Sequence, residues 1–224
     1  LDTERELKML RVARRLGRDF PVAVRTSFLG AHAIPPEFKN KRAAYLERIK
    51  AEMLPAIAAE KLADYLDVFC EEGYFTLAET LDLMEAGAGY GLPAKLHLNQ
   101  FTSLGAVPAA VARKARSVDH LEVMEPADVE ALAHSDTMAT ALPGCSHYLG
   151  IPYTPARELI DRQALVAVAT DFNPGSAPSG NMNLLLALAC TQMRLTPDEA
   201  YTACTLNGAA AVDLSHDYGS IERG

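Results

Sequence analysis

Six short apolar runs recur along this chain and limit what it can fold into. They cover residues 22–27, 65–70, 94–98, 117–121, 137–142 and 165–170, and their starts lie 43, 29, 23, 20 and 28 residues apart. Each run is nearly continuously apolar. Alternation marks a strand with one wet face, whereas an unbroken run suits a parallel strand covered on both faces. The intervals are long enough for a helical crossover each time, which predicts repeated β-then-α units.

The intervening segments carry helix punctuation. Thr3-x-x-Glu6 has the form of a capping box, with a helix ending near Gly17. Leu46, Ile49, Met53 and Ile57 fall on one helical face, and Thr76-x-x-Glu79 opens a helix with Leu77, Leu81 and Met84 in line. Thr196 followed by Pro197 places proline at a first helical position. An open dinucleotide-type sheet needs a glycine-rich turn after an early strand, and the chain has none. Polar groups instead follow or end the apolar runs: His32, Glu71, His97, His120 and Asp171. A (β/α)8 barrel builds its active site from those strand ends, so the expected fold is α/β, a TIM-like barrel. Six units where eight are needed make it a partial barrel, residues 1–224 forming one partial barrel domain. About two strands are expected upstream, since the chain starts at Leu1 without a methionine.

Composition narrows the function classes. Lys and Arg number 21 against 29 Asp and Glu, a net charge of −8 that argues against nonspecific nucleic-acid binding. Nearly half the residues are hydrophobic, enough for a sizeable core. The best apolar run, residues 184–190, is far too short to cross a bilayer. The four cysteines, Cys70, Cys145, Cys190 and Cys204, form no Cys-x-x-Cys and no signal-peptide pattern opens the chain. The expectation is a cytoplasmic protein with reduced, buried thiols and no membrane or nucleic-acid partner.

The strand-end groups carry the candidate chemistry. His97 and His120 end two runs 23 residues apart, and imidazole is the commonest metal ligand. Either one alone reads equally well as a hydrogen-bonded core histidine. Asp171 ends an apolar run and opens the Gly/Pro/Ser/Asn-rich residues 173–181. It suits a metal-ligating carboxylate that moves a proton, or a turn cap. His32 is a third strand-end histidine. His134, His147 and His216 are expected to be structural or solvent-facing.

Taken together these residues resemble the metal-dependent amidohydrolase superfamily, whose strands five, six and eight end in the order His97, His120, Asp171. The run Thr205-Leu206-Asn207-Gly208-Ala209-Ala210, followed by Gly219-Ser220-Ile221-Glu222-Arg223-Gly224, is similar to that superfamily's exit into an accessory β-domain. Thr26-Ser27-Phe28-Leu29-Gly30-Ala31-His32-Ala33, Met53-Leu54-Pro55-Ala56-Ile57-Ala58, Asp67-Val68-Phe69-Cys70-Glu71, Leu142-Pro143-Gly144 and Thr170-Asp171-Phe172-Asn173-Pro174-Gly175-Ser176 resemble the imidazolonepropionase family within it. The resemblance implies hydrolysis of the ring amide of 4-imidazolone-5-propanoate to N-formimidoyl-L-glutamate in histidine degradation. It implies one Zn2+ or Fe ion with His97 and Asp171 as ligands, and His120 and Asp171 as catalytic groups. His120 would orient the attacking water or polarise the carbonyl. His32 and Gln100 would contact the imidazolone ring, and Asn173, Gly175 and Ser176 would hold the substrate from the last loop. A homodimer is also implied. The family's His-x-His pair and its upstream substrate-binding Arg and Tyr have no counterpart here. After His97, Leu98-Asn99 stand where the family carries a small residue and an acid. Two other readings stay open: a neighbouring cyclic amidohydrolase or deaminase, and a catalytically inactive fragment.

Overall fold

The computed structural model describes residues 2–223. Leu1, the start of the chain, and Gly224, the end of the last motif above, lie outside them. The described residues form two compact units, divided between His97 and Leu98.

The first unit opens with α1 (Thr3–Asp19). Its cap is Asp2, which accepts the Arg5 N–H at 2.9 Å, rather than Thr3 as expected. Asp is the stronger N-cap, and it leaves the Thr3 hydroxyl to donate to Glu52. The first strand also lies later than expected: β1 is Ser27–Ala31, not residues 22–27. Val22 is 55% exposed, whereas Phe28 and Ala31 are fully buried, so burial overrides the β-propensity of the valines.

Next come α2 (Arg42–Arg48), a π-helical turn (Ile49–Met53) and α3 (Leu54–Glu60), continuous in αR backbone. Pro55 explains the π turn, because proline offers no N–H and crowds the carbonyl four residues back. The extra residue in that turn rotates the buried face. Ile49, Met53, Leu54 and Ile57 are fully buried, while Leu46, expected on that face, is only half-buried.

The strand β2 (Tyr65–Cys70) is buried throughout and pairs in parallel with β1, Ser27 opposite Tyr65 and Phe28 opposite Leu66. The expected capping box of Thr76 and Glu79 starts α4 (Leu77–Gly89), and β3 (Ala94–Leu98) follows, the strand order being β1-β2-β3. Helix α4 lies so close to β2 that a Cβ on Gly87 would meet Leu66 Cδ2 at 2.8 Å.

Asp64 locks β1 against β2. It accepts the Thr26 N–H at 2.8 Å and pairs with Arg14 at 3.0 Å and Arg25 at 3.4 Å. Burial alone would raise its pKa, but these partners outweigh it and hold the carboxyl below its usual range. Stability from Asp64 is therefore complete above the unfolded-state pKa of about 4 and is lost as pH falls through the lower folded value. Asp64→Asn is expected to cost about 1–3 kcal/mol at pH 7. Urea unfolding at pH 7 and pH 3 should show that difference shrinking in acid.

The second unit continues the rhythm with α5 (Ala106–Ala112), β4 (Ser117–His120), α6 (Pro126–Ala133), β5 (Met138–Ala141), α7 (Pro143–Leu149) and α8 (Ala156–Asp161). It ends with β6 (Val166–Val168), α9 (Met182–Thr191), α10 (Pro197–Cys204) and α11 (Leu206–Ala210). Strands β4 and β5 are parallel, as are β5 and β6, and all three are buried. Thr196 and Glu199 form the capping box of α10 with Pro197 inside its first turn, and Arg157 grips Glu199 through two nitrogens at 2.7 and 3.0 Å. The expected alternation of strand and helix is present in both units. No helix among the described residues is long and apolar enough to cross a membrane.

Candidate metal and catalytic centre

In the first unit, His32 follows β1, Asp67 sits mid-β2 and His97 lies near the end of β3. Parallel pairing brings the three together, their candidate ligand atoms all within 4.8 Å of one another. Asp67 Oδ1 lies 3.0 Å from His97 Nδ1 and 3.3 Å from His32 Nε2. A carboxylate only accepts, so the nitrogen of His97 that faces Asp67 carries the hydrogen. The two rings meet edge to face at 4.6 Å, and Phe69 stacks on His32. Burial opposes ionisation of Asp67, but the two imidazoles overcome it and hold the carboxyl well below its usual range. A buried carboxylate on one imidazole nitrogen orients the ring and raises the basicity of the other, the usual arrangement behind a metal-binding histidine. His32, expected to contact substrate, is placed with Nε2 toward Asp67.

In the second unit, His120 ends β4 and is 3% exposed. It and Leu121 have left-handed backbones, φ +84° and +66°. Such backbone is costly for non-glycine residues and persists only where its surroundings fix it. Here Thr154 Oγ1 donates to the His120 carbonyl at 2.6 Å, and the N–H groups of Leu121 and Val123 donate to the carbonyls of Leu98 and Asn99. The double turn folds Glu122 back so that Oε1 lies 3.3 Å from His120 Nδ1, while Ser146 Oγ donates to the same oxygen at 3.1 Å.

Gln100 is buried and donates through Nε2 to Cys145 Sγ at 3.3 Å. Burial, then the nearby Glu122 and Asp171 carboxylates, push the Cys145 thiol up to about 11, so it remains a thiol at neutral pH. The Asn99 amide donates to buried Asp128 at 2.9 Å and fixes the loop after β3.

Asp171 lies three residues beyond β6 with φ +51°. Ser176 Oγ donates to its Oδ2 at 3.3 Å. The Asn173 Oδ1 accepts the N–H groups of Gly175 and Ser176 at 2.9 and 2.8 Å, and its amide donates to the Asp171 carbonyl at 2.6 Å. These bonds form an Asx-type turn that aims Asp171. Asn173, Gly175 and Ser176 are thus gathered around Asp171, with the Asn173 side chain shaping the loop.

His134 lies beside Glu130, His147 beside Tyr153 and His216 beside Asp217, all at the surface as expected. Sequence reasoning gave no role to Asp67, Glu122, Ser146 or Thr154. A charged residue inside an otherwise apolar strand was the available signal for Asp67, since Asp is rarely buried without a partner.

Residues 75–224 match the model of the amidohydrolase family. The chain is 54% identical to the imidazolonepropionase of Flavobacterium johnsoniae and 52% identical to that of Christiangramia forsetii, each over 224 residues. Each alignment covers all of this chain and 54% of the relative, so the chain spans about half the length of these curated relatives. Among solved structures, an adenosine deaminase from Xanthomonas campestris with bound zinc matches with a TM-score of 0.71 at 17% identity. That match covers 96% of this chain and 52% of the deaminase, and it concerns the fold alone. Together with the family match, it bears out the expected fold class, part of an amidohydrolase TIM-like barrel. The chain belongs to the amidohydrolase family.

Proposed function

We propose that the chain carries the part of an imidazolonepropionase barrel that opens the ring amide of 4-imidazolone-5-propanoate to N-formimidoyl-L-glutamate, acting in the cytoplasm. The observation that carries this is 54% identity along the whole chain to a protein of that name. His97 and Asp171 would hold one Zn2+ or Fe ion. The fit rests on donor chemistry: Asp67 engages Nδ1 of His97, the outer contact usual for a metal-binding imidazole, and the Asx-type turn presents a carboxylate. When bound, the ion acidifies a water and polarises the ring carbonyl.

The chain's own groups carry the remaining steps. Asp171 accepts the proton of the attacking water and delivers it to the departing ring nitrogen. His120 orients the attacking water by accepting a hydrogen bond from it. Gln100 and His32 contact the ring, and Asn173, Gly175 and Ser176 hold the substrate from the loop after β6.

The test is incubation of the metal-supplemented protein with 4-imidazolone-5-propanoate, following ring absorbance and formimidoylglutamate by mass spectrometry. Turnover to that product that is lost in His120→Ala supports the proposal. Ammonia release from cyclic amidines with no imidazolone turnover overturns it in favour of a deaminase.

A further inference from the structure

We propose that Glu122 is a positioning residue that fixes the tautomer and orientation of His120. The inference rests on the role given to His120 above. Its starting point is that Glu122 is poorly explained by stability. Its side chain has no exposure, Oε1 serves both His120 Nδ1 and Ser146 Oγ, and Oε2 is buried with no hydrogen-bond partner among the described residues. A buried carboxylate with an idle oxygen costs stability, and a neutral side chain of that size would fit the site at lower cost.

The local backbone points the same way. His120 and Leu121, which link the two side chains, both take left-handed conformations. Thr154, 34 residues along the chain, clamps the His120 carbonyl that makes this turn possible. A carboxylate only accepts, so Glu122 puts the hydrogen of neutral His120 on Nδ1 and makes Nε2 the acceptor that meets the attacking water. Ser146 donates to the same Oε1 and stops the carboxylate from rotating away. Holding one tautomer of a working histidine with a buried carboxylate is a general device, and losing that control costs far more in turnover than in binding.

The experiment compares wild type, Glu122→Gln and Ser146→Ala in the full chain. Nitrogen-15 NMR of the histidine rings at a pH where His120 is neutral reads the tautomer without any substrate. In wild type, His120 is expected as the Nδ1–H form. In Glu122→Gln, whose amide can turn to donate, the Nε2–H form should appear, with kcat down roughly 10²-fold. KM should stay within about threefold, and the unfolding midpoint should be unchanged or higher. Ser146→Ala should show a smaller shift of the same kind, and it serves if Glu122→Gln does not fold. A wild-type His120 already in the Nε2–H form, or a tautomer ratio that neither substitution moves, overturns the inference. So does a kcat loss matched only by lost folded protein. An Nδ1–H tautomer that responds to Glu122 in a protein that does not turn over imidazolone leaves the inference standing and overturns the proposed function.

Discussion

Asp171→Asn is expected to lower kcat for imidazolone hydrolysis by about 10²–10⁴-fold, the span associated with losing a positioned acid–base group. The amide keeps the shape of the carboxylate and can still receive the Ser176 hydroxyl, so the Asn173 turn should persist. What disappears is the ability to take up a proton and pass it to the leaving nitrogen, together with the negative charge of a ligand. Steady-state kinetics with the metal content of each sample measured alongside separates the two losses. A variant that retains full metal and full kcat would remove Asp171 from the mechanism.

The second large effect is expected at Asp67. Asp67→Asn should weaken metal binding by about 10–100-fold, the usual cost of removing the outer partner of a ligating histidine. The cause is geometric and electronic together. Asp67 Oδ1 holds the His97 ring through Nδ1 at 3.0 Å and sits 3.3 Å from His32, so a neutral amide loosens one ligand and lowers its basicity. Competition against a chromophoric chelator measures the change. Equal affinity in the two proteins would make Asp67 a purely structural residue of β2.

The alternation of elements was legible because it depends on local pattern alone. The second and third apolar runs match β2 and β3 residue for residue, the Thr76 box forms as expected, and a helix starts at Pro197 as expected. Where the pattern misled, a longer-range contact decided. Strand β1 begins at Ser27 because Phe28, and not Val22, finds a buried slot opposite Leu66. The buried face of residues 42–60 turned because one proline widened a helical turn. Within the candidate centre, the residues at strand ends stood out, since polar groups closing apolar runs are visible in any single sequence. The residues that hold them did not. Asp67 meets His97 only across paired strands, 30 positions apart, and Thr154 reaches His120 from 34 positions away. Glu122 needs two consecutive left-handed residues, neither of them glycine, and no spacing rule anticipates that turn.

Those left-handed residues also bear on when the centre comes into existence during folding. The backbone of His120 resists its conformation intrinsically, and what holds it comes from outside its own strand: a hydroxyl from the segment leading into α8, and the carbonyls of Leu98 and Asn99. Strand β4 can therefore pair with β5 before His120 reaches its working orientation, which waits for a contact of long sequence separation. Pairing the strands is therefore not enough to set the imidazole in place; that takes contacts from other segments of the chain.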